Sequence, residues 1–182
     1  LIAVACGIAI ALAPDGRLIS QTFSPAHSHK PAYAIIVSGD GLITTLADGV
    51  AQFLASKGIE SGRARSLFYF WSSRSPQRMS NDLLRNIRKR LKGHPDDRIL
   101  LVGYSFGAGT LPFAVNRLPP DVVSRIDAIA LLAPPGRADF QFYWHSWLNK
   151  SSKHALQTAD EILILSQNIP VLYLRGESDY IG

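Results

Sequence analysis

The strongest constraint on this chain is its alternation of short apolar runs with longer stretches of helical periodicity. Ala32 to Val37 (AYAIIV) is bounded by Ser38-Gly39-Asp40-Gly41, and Arg98 to Tyr104 (RILLVGY), Ile126 to Leu132 (IDAIALL) and Asn168 to Leu174 (NIPVLYL) have the same character. All four read as strands, the first two as strands buried on both faces. Arg65 to Trp71 is a further strand candidate, and Gly16 to Phe23 alternates weakly enough to suit an edge strand. Between the runs, Leu46, Val50, Phe53 and Leu54 recur at helical spacing before Gly58. Pro76 opens a helix whose apolar face is Leu83, Leu84, Ile87 and Leu91. Its basic residues (Arg85, Arg88, Lys89, Arg90 and Lys92) are expected to extend into solvent or to lean on anionic headgroups. Phe106 to Leu118, ended by Pro119-Pro120, and Ala159 to Leu165 read as two more helices. Such alternation implies right-handed crossovers and an α/β fold, a mostly parallel sheet with helices on both faces. Ligands of such sheets sit at the carboxyl ends of the strands.

Composition narrows the class. The 182 residues suffice for one domain, and 47% hydrophobic against 18% charged residues argues for a packed core. The single cysteine, Cys6, excludes an internal disulfide framework and a multi-Cys zinc site. Nineteen basic against 14 acidic residues, a net charge of +5, favour anionic partners. Nucleic acid is disfavoured, because the basic residues are not interleaved with stacking aromatics on one element. His27-x-His29 is a lone pair without a carboxylate at ligand spacing, so neither a metal nor another cofactor is expected. Leu1 to Ala13 (LIAVACGIAIALA) is apolar throughout, too short to span a bilayer, and fits the remnant of an export signal or N-terminal anchor. The alternative for that segment is a buried first strand or helix. Residues 14–182 are expected to form a single domain, incomplete at its C-terminus.

The chemistry is carried by Gly103-Tyr104-Ser105-Phe106-Gly107, a G-x-S-x-G motif between an expected strand and an expected helix. In that context a sharp turn lifts the Ser105 hydroxyl above the sheet, at the positive end of the helix. The two glycines are required because side chains there would strike neighbouring strand and helix backbone. The backbone N–H of Phe106 is one donor for a developing oxyanion, and the loop bearing Asp40 and Gly41 is expected to supply the second. The competing reading is an ordinary tight turn in which Ser105 caps the helix. A serine nucleophile needs a base and an orienting carboxylate, in the order Ser, acid, His for an α/β-hydrolase. Asp179, in a Gly176-x-x-Asp179 turn after the last expected strand, is the candidate acid, with Glu177 the alternative. The five histidines (His27, His29, His94, His145 and His154) all precede Asp179, so the base is expected beyond residue 182.

Several segments together resemble the VirJ/AcvB family of bacterial virulence proteins. They are Ser38-Gly39-Asp40-Gly41, Phe68-Tyr69-Phe70-Trp71, Arg74-Ser75-Pro76 with Asp82, Gly103-Tyr104-Ser105-Phe106-Gly107-Ala108, Leu111-Pro112-Phe113, Asn116-Arg117-Leu118-Pro119, and Ala138-Asp139-Phe140 with Trp147-Leu148. The chain departs from the family pattern after Gly41, where Leu42-Ile43-Thr44 stands in place of Gly-Trp. The resemblance implies a periplasmic hydrolase of α/β-hydrolase type, with Ser105 as nucleophile and the acid in the Gly176-x-x-Asp179 turn. It further implies the aminoacyl ester of phosphatidylglycerol, chiefly the lysyl lipid, as substrate, and an association with type IV secretion proteins. A non-catalytic hydrolase-fold accessory protein is the alternative, and a hydrolase of some other small ester or thioester is a third reading. The aromatic segment Phe140, Phe142, Tyr143, Trp144 and Trp147 is expected either to roof the pocket and touch lipid or to pack on the sheet.

Overall fold

A computed structural model describes residues 18–27, 29–39, 45–141 and 155–176. Six strands form one sheet: β1 (Gln21–Phe23), β2 (Ala32–Val37), β3 (Glu60–Ala64), β4 (Arg98–Tyr104), β5 (Ile126–Leu132) and β8 (Val171–Leu174). Their order is β1-β3-β2-β4-β5-β8, with β1 antiparallel to β3 and the remaining pairs parallel. A short ribbon of β6 (Arg137–Ala138) and β7 (Leu156–Gln157) stands apart. The helices are α1 (Thr45–Ser56), α2 (Ser66–Tyr69), α3 (Pro76–Gly93), α4 (Phe106–Val115), α5 (Pro120–Val123) and α6 (Thr158–Ser166). This is an α/β-hydrolase-type sheet with helices on both faces, as the alternation predicts.

Side-chain alternation along β2 shows how the layers form. Tyr33, Ile35 and Val37 join Ile99, Leu101, Ile129 and Leu131 in the main core under α3, α4 and α6, whereas Ile36 turns to the other face and packs on Ala47 and Ala51 of α1. Helix α4 is buried along its whole length after Phe106, which is why it is apolar on every side. Cover thins at β8, where Leu172, Tyr173 and Leu174 are each about half exposed. Among the described residues it is the last strand on that side of the sheet.

The segment from 60 to 71 also differs from its sequence reading. The strand there is Glu60–Ala64, and Ser66–Tyr69 within the expected strand is a short helix. Ser61 and Arg63 are both buried in β3, and Arg63 is accommodated because Asp48 and Gln21 both receive its guanidinium. The aromatic run that looked like a strand is a wall beneath the functional site.

On α3, Arg85, Arg88, Lys89 and Lys92 are exposed as expected, and Arg90 is not. Arg85 pairs with Asp82 at 3.1 Å and Arg88 with Asp121 at 3.5 Å. Arg90 is buried against Asp97 at 2.6 Å and Glu60 at 2.8 Å, over the Tyr33 ring. Burial alone would raise the pKa of the Glu60 carboxyl, but hydrogen bonding and charge from Arg90, with His29 beside it, hold it below the usual carboxylate value. A lowered carboxylate stabilises the fold above the unfolded glutamate pKa, about 4.3. That contribution is lost as pH falls through the lower folded value. Glu60→Gln is therefore expected to flatten the fall in unfolding free energy between about pH 5 and pH 3. Denaturant titrations across that range that gave parallel slopes for the two proteins would remove the ion pair from the account.

Chain direction fixes where a site can form. From β2 the chain moves outward to β3, then crosses back over β2 to β4 and continues the other way to β5 and β8. The reversal opens a crevice between the carboxyl ends of β2 and β4, the position at which open α/β sheets bind ligands.

Candidate active site

Ser105 stands at that crevice, between β4 and α4, with φ 50° and ψ −116°. A non-glycine residue with positive φ is strained by roughly 1–3 kcal/mol and persists only where its surroundings impose it. Two neighbours impose it here. The Ser105 N–H donates to the Leu132 carbonyl at 2.8 Å, and its own carbonyl accepts from Gly109 at 3.0 Å. The hydroxyl makes no capping bond to the helix, and the residue is partly exposed. The tight-turn alternative required that bond, and the structure does not show it.

Both motif glycines are explained by distance. A Cβ on Gly103 would lie 2.7 Å from the Ala108 Cα, and one on Gly107 would lie 2.7 Å from the Ser38 carbonyl oxygen and closer still to that of Val37. Strand β2 and helix α4 therefore meet backbone to backbone. A Cβ on Gly39 would be 3.4 Å from that of Ser105 and 3.3 Å from the Tyr104 ring, so the loop after β2 lies directly against the elbow. Ser38 anchors the start of that loop. Its hydroxyl accepts the Ser66 N–H at 3.2 Å, and its carbonyl accepts the Ser66 hydroxyl. Sequence reasoning did not identify the Ser38–Ser66 pair, because the two residues are 28 apart in the chain.

Phe106 opens α4, so its N–H is one of the helix-terminal donors without an intrahelical acceptor. Its ring is held 5.0 Å from Phe70, which meets Tyr69 at 4.8 Å and Phe140 at 6.0 Å, and Phe140 meets Phe113 at 5.5 Å. Phe140 thus packs against Phe70 and Phe113. Phe142, Tyr143, Trp144 and Trp147 lie outside the described residues, as do Asp40 and Gly41 of the oxyanion loop, the acids Asp179 and Glu177, His145, His154 and Leu1 to Ala13. His29 and His94 stack at the opposite, amino end of the strands, where His29 bonds Glu60 at 3.1 Å. They serve the fold there, far from Ser105. Among the described residues, no group of three or more His, Cys, Asp or Glu could hold a metal ion.

The aromatic wall has a polar foot. Tyr69 donates to Asp82 at 2.6 Å, and Asp82 is 2% exposed. Burial, reinforced by the hydrogen bond and charge of Asp82, raises the pKa of the Tyr69 phenol and keeps it a donor. Arg74 lies over the Tyr69 ring at 5.0 Å and donates to the Tyr69 carbonyl at 3.2 Å. Ser75 caps α3 through the Arg78 N–H at 3.1 Å. The Arg-Ser-Pro…Asp pattern therefore buttresses Phe70 and Phe106. Asp82→Ala is expected to lower unfolding free energy by about 2–3 kcal/mol and Tyr69→Phe by about 1 kcal/mol. Equal, small losses in chemical denaturation would contradict a buried, satisfied pair.

Comparison with known proteins bears on the family and the fold. A family model described as Bacterial virulence protein (VirJ) matches residues 32–181. Carboxylesterase Culp1 of Mycobacterium tuberculosis is 31% identical over 65 residues, which cover 36% of this chain and 30% of that protein. The matched segment thus spans about a third of that relative's length. Among solved structures, Est1E from Butyrivibrio proteoclasticus with ferulic acid bound superposes with a TM-score of 0.56 at 15% identity, over 88% of this chain and 75% of that one. An alpha-beta serine hydrolase homologue from Coxiella burnetii gives 0.51 at 16% identity, over 86% and 80%. At such identities these likenesses establish the fold.

Proposed function

The chain belongs to the VirJ family of bacterial virulence proteins, and from that membership we propose that it is a serine hydrolase of carboxylic esters. The observation that carries the reading is Ser105 itself, held at φ 50° with its hydroxyl making no capping bond, beside the Gly39 loop and at the amino end of α4. In the proposed reaction the Ser105 oxygen attacks the ester carbonyl carbon while a base takes its proton. The carbonyl oxygen, now negative, is met by the Phe106 N–H and by the loop at Asp40 and Gly41. Cleavage of the carbon–oxygen bond releases the alcohol, which takes up the proton, and leaves an acyl-serine. Water then attacks that acyl group, freeing the acid and restoring the serine. Asp179 is the proposed orienting acid, and the base is not among the described residues.

The proposed substrate is the aminoacyl ester of phosphatidylglycerol, the lysyl lipid first, met at an anionic membrane face in the periplasm. The family resemblance supports that choice, as does the net charge of +5. Membrane-surface contact and association with secretion-system proteins are proposed on the same grounds. The test measures lysine released from vesicles containing lysyl-phosphatidylglycerol by the full-length protein and by Ser105→Ala. Release by the former alone is expected. Equal release by both would remove Ser105 from the chemistry, and release by neither would leave a hydrolase-fold accessory protein as the reading.

A further inference from the structure

Two buried serines meet at the root of the loop that faces Ser105. Ser38 is 3% exposed just past the carboxyl end of β2, and Ser66 is 1% exposed at the start of α2. Every polar group of Ser38 is engaged. Its N–H donates to the Ala64 carbonyl at 3.1 Å, and its hydroxyl to the Gly39 carbonyl at 3.2 Å. The same hydroxyl accepts the Ser66 N–H, and the Ser38 carbonyl accepts the Ser66 hydroxyl. We propose that Ser66 is a positioning residue of the oxyanion site. It fixes the start of the Gly39 loop and, through Phe70, the Phe106 end of α4, so that both meet the charge that develops on the ester carbonyl. The inference rests on the ester-hydrolase reading of Ser105 and adds to it the residue that sets the spacing of the two donors.

The bonds between the serines control which way the loop's peptides face. A planar peptide turns as one unit, so the Ser66 hydroxyl that holds the Ser38 carbonyl also holds the Gly39 N–H. The Ser38 hydroxyl, itself held by the Ser66 N–H, fixes the Gly39 carbonyl. Two successive carbonyls are thereby taken up inside the protein. Neither is free to turn toward Ser105, where its negative end would oppose the oxyanion. Sideways movement is blocked as well. The Ser38 carbonyl oxygen lies 2.7 Å from where a Cβ on Gly107 would stand. On the other side, a Cβ on Gly39 would be 3.3 Å from the Tyr104 ring.

Ser66 also reaches the second donor. Its carbonyl accepts the Phe70 N–H at 2.8 Å, and the Phe70 ring lies 5.0 Å from that of Phe106. One residue thus ties the loop after β2 to the aromatic contact that holds Phe106. Donors have to stand about 2.7–3.1 Å from the oxyanion, so a site assembled from two chain segments depends on what sets their separation. For packing alone the two hydroxyls bring little, because a hydrogen bond inside the protein replaces one made to water.

Ser66→Ala in the full-length protein tests this, since it removes the hydroxyl and keeps the N–H that holds Ser38. The probe is an alkyl fluorophosphonate. The Ser105 oxygen bonds to its phosphorus, fluoride leaves, the serine proton passes to the base, and the phosphoryl oxygen takes the place of the oxyanion. The fraction finally labelled counts intact sites, whereas the rate reports the donors. Ser66→Ala is expected to label fully, at a rate at least about tenfold below wild type, as loss of a whole donor costs about 10²–10³-fold. With p-nitrophenyl acetate, kcat is expected to fall similarly while KM stays within about twofold, because the donors act on the transition state. Ser38→Ala, which releases the Gly39 carbonyl, is expected to slow labelling too, and it carries the test if Ser66→Ala does not fold. Wild-type labelling rates overturn the proposal, as does a loss confined to the labelled fraction or to KM. Wild-type protein that takes up no probe rejects the hydrolase reading and this inference with it. Labelling that slows in Ser66→Ala, in a protein that releases no lysine, keeps the inference and rejects the substrate.

Discussion

Ser105→Ala is expected to lower kcat/KM for ester hydrolysis by about 10⁴-fold or more, while the free energy of unfolding stays within about 0.5 kcal/mol of wild type. The two halves come from the same geometry. The hydroxyl makes no bond to the helix it precedes and is partly exposed, so its removal exposes no unsatisfied partner. The strain resides in φ 50°, which alanine shares. Ser105→Gly separates strain from chemistry. Glycine adopts positive φ without a steric cost, so this variant is expected to be inactive and more stable than wild type by about 1 kcal/mol. Steady-state kinetics with denaturant unfolding read both quantities. A Ser105→Gly protein less stable than Ser105→Ala would mean that the elbow is relaxed and that its conformation stores nothing for catalysis.

The parts of this architecture that were legible in the sequence are those written locally. AYAIIV is buried from Tyr33 to Val37, as a strand covered on both faces should be. RILLVGY alternates buried and partly exposed residues, yet is still legible as a strand. The elbow is legible because a strand, two glycines and a serine stand within a few residues. Strand β3 was not legible, because ESGRA has no apolar signal. Arg63 is tolerated there only because Asp48 and Gln21, 15 and 42 residues away, come to meet it. The neighbouring aromatic run misled for the opposite reason. Its period suits a strand, yet Tyr69 and Phe70 pack sideways under Phe106 once Asp82 fixes the phenol. The tie between Ser38 and Ser66, which spans 28 residues, was equally hidden. Local chemistry marks Ser105 as the candidate, whereas the surroundings of that residue are made by long-range contacts.

That division predicts which glycines cannot change. Gly107→Ala would place a methyl group against the carbonyl oxygens of Val37 and Ser38 and 2.7 Å from the Val37 carbonyl carbon. These are backbone atoms of β2, which is hydrogen-bonded on both sides to β3 and β4, so they cannot turn aside as a flexible side chain would. Either β2 shifts within the sheet or α4 lifts away from it. Both movements separate the Phe106 N–H from the loop at Gly39. Overpacking of a tight core typically costs about 1–3 kcal/mol, occasionally more, and contact with fixed backbone puts Gly107→Ala at about 3 kcal/mol or above. An oxyanion donor displaced by about 1 Å would cost a further 10²-fold in kcat/KM. Gly103→Ala, which meets the Ala108 backbone at 2.7 Å, is expected to behave alike. Gly49 supplies the contrast, since it lies within α1 and a Cβ there meets nothing within 4 Å. Gly49→Ala is therefore expected to stabilise the protein by about 0.5–1 kcal/mol. Unfolding curves and kcat/KM for the three variants decide the matter. If Gly107→Ala proved as stable and as active as Gly49→Ala, the close approach of β2 to α4 would not be what holds the elbow in place.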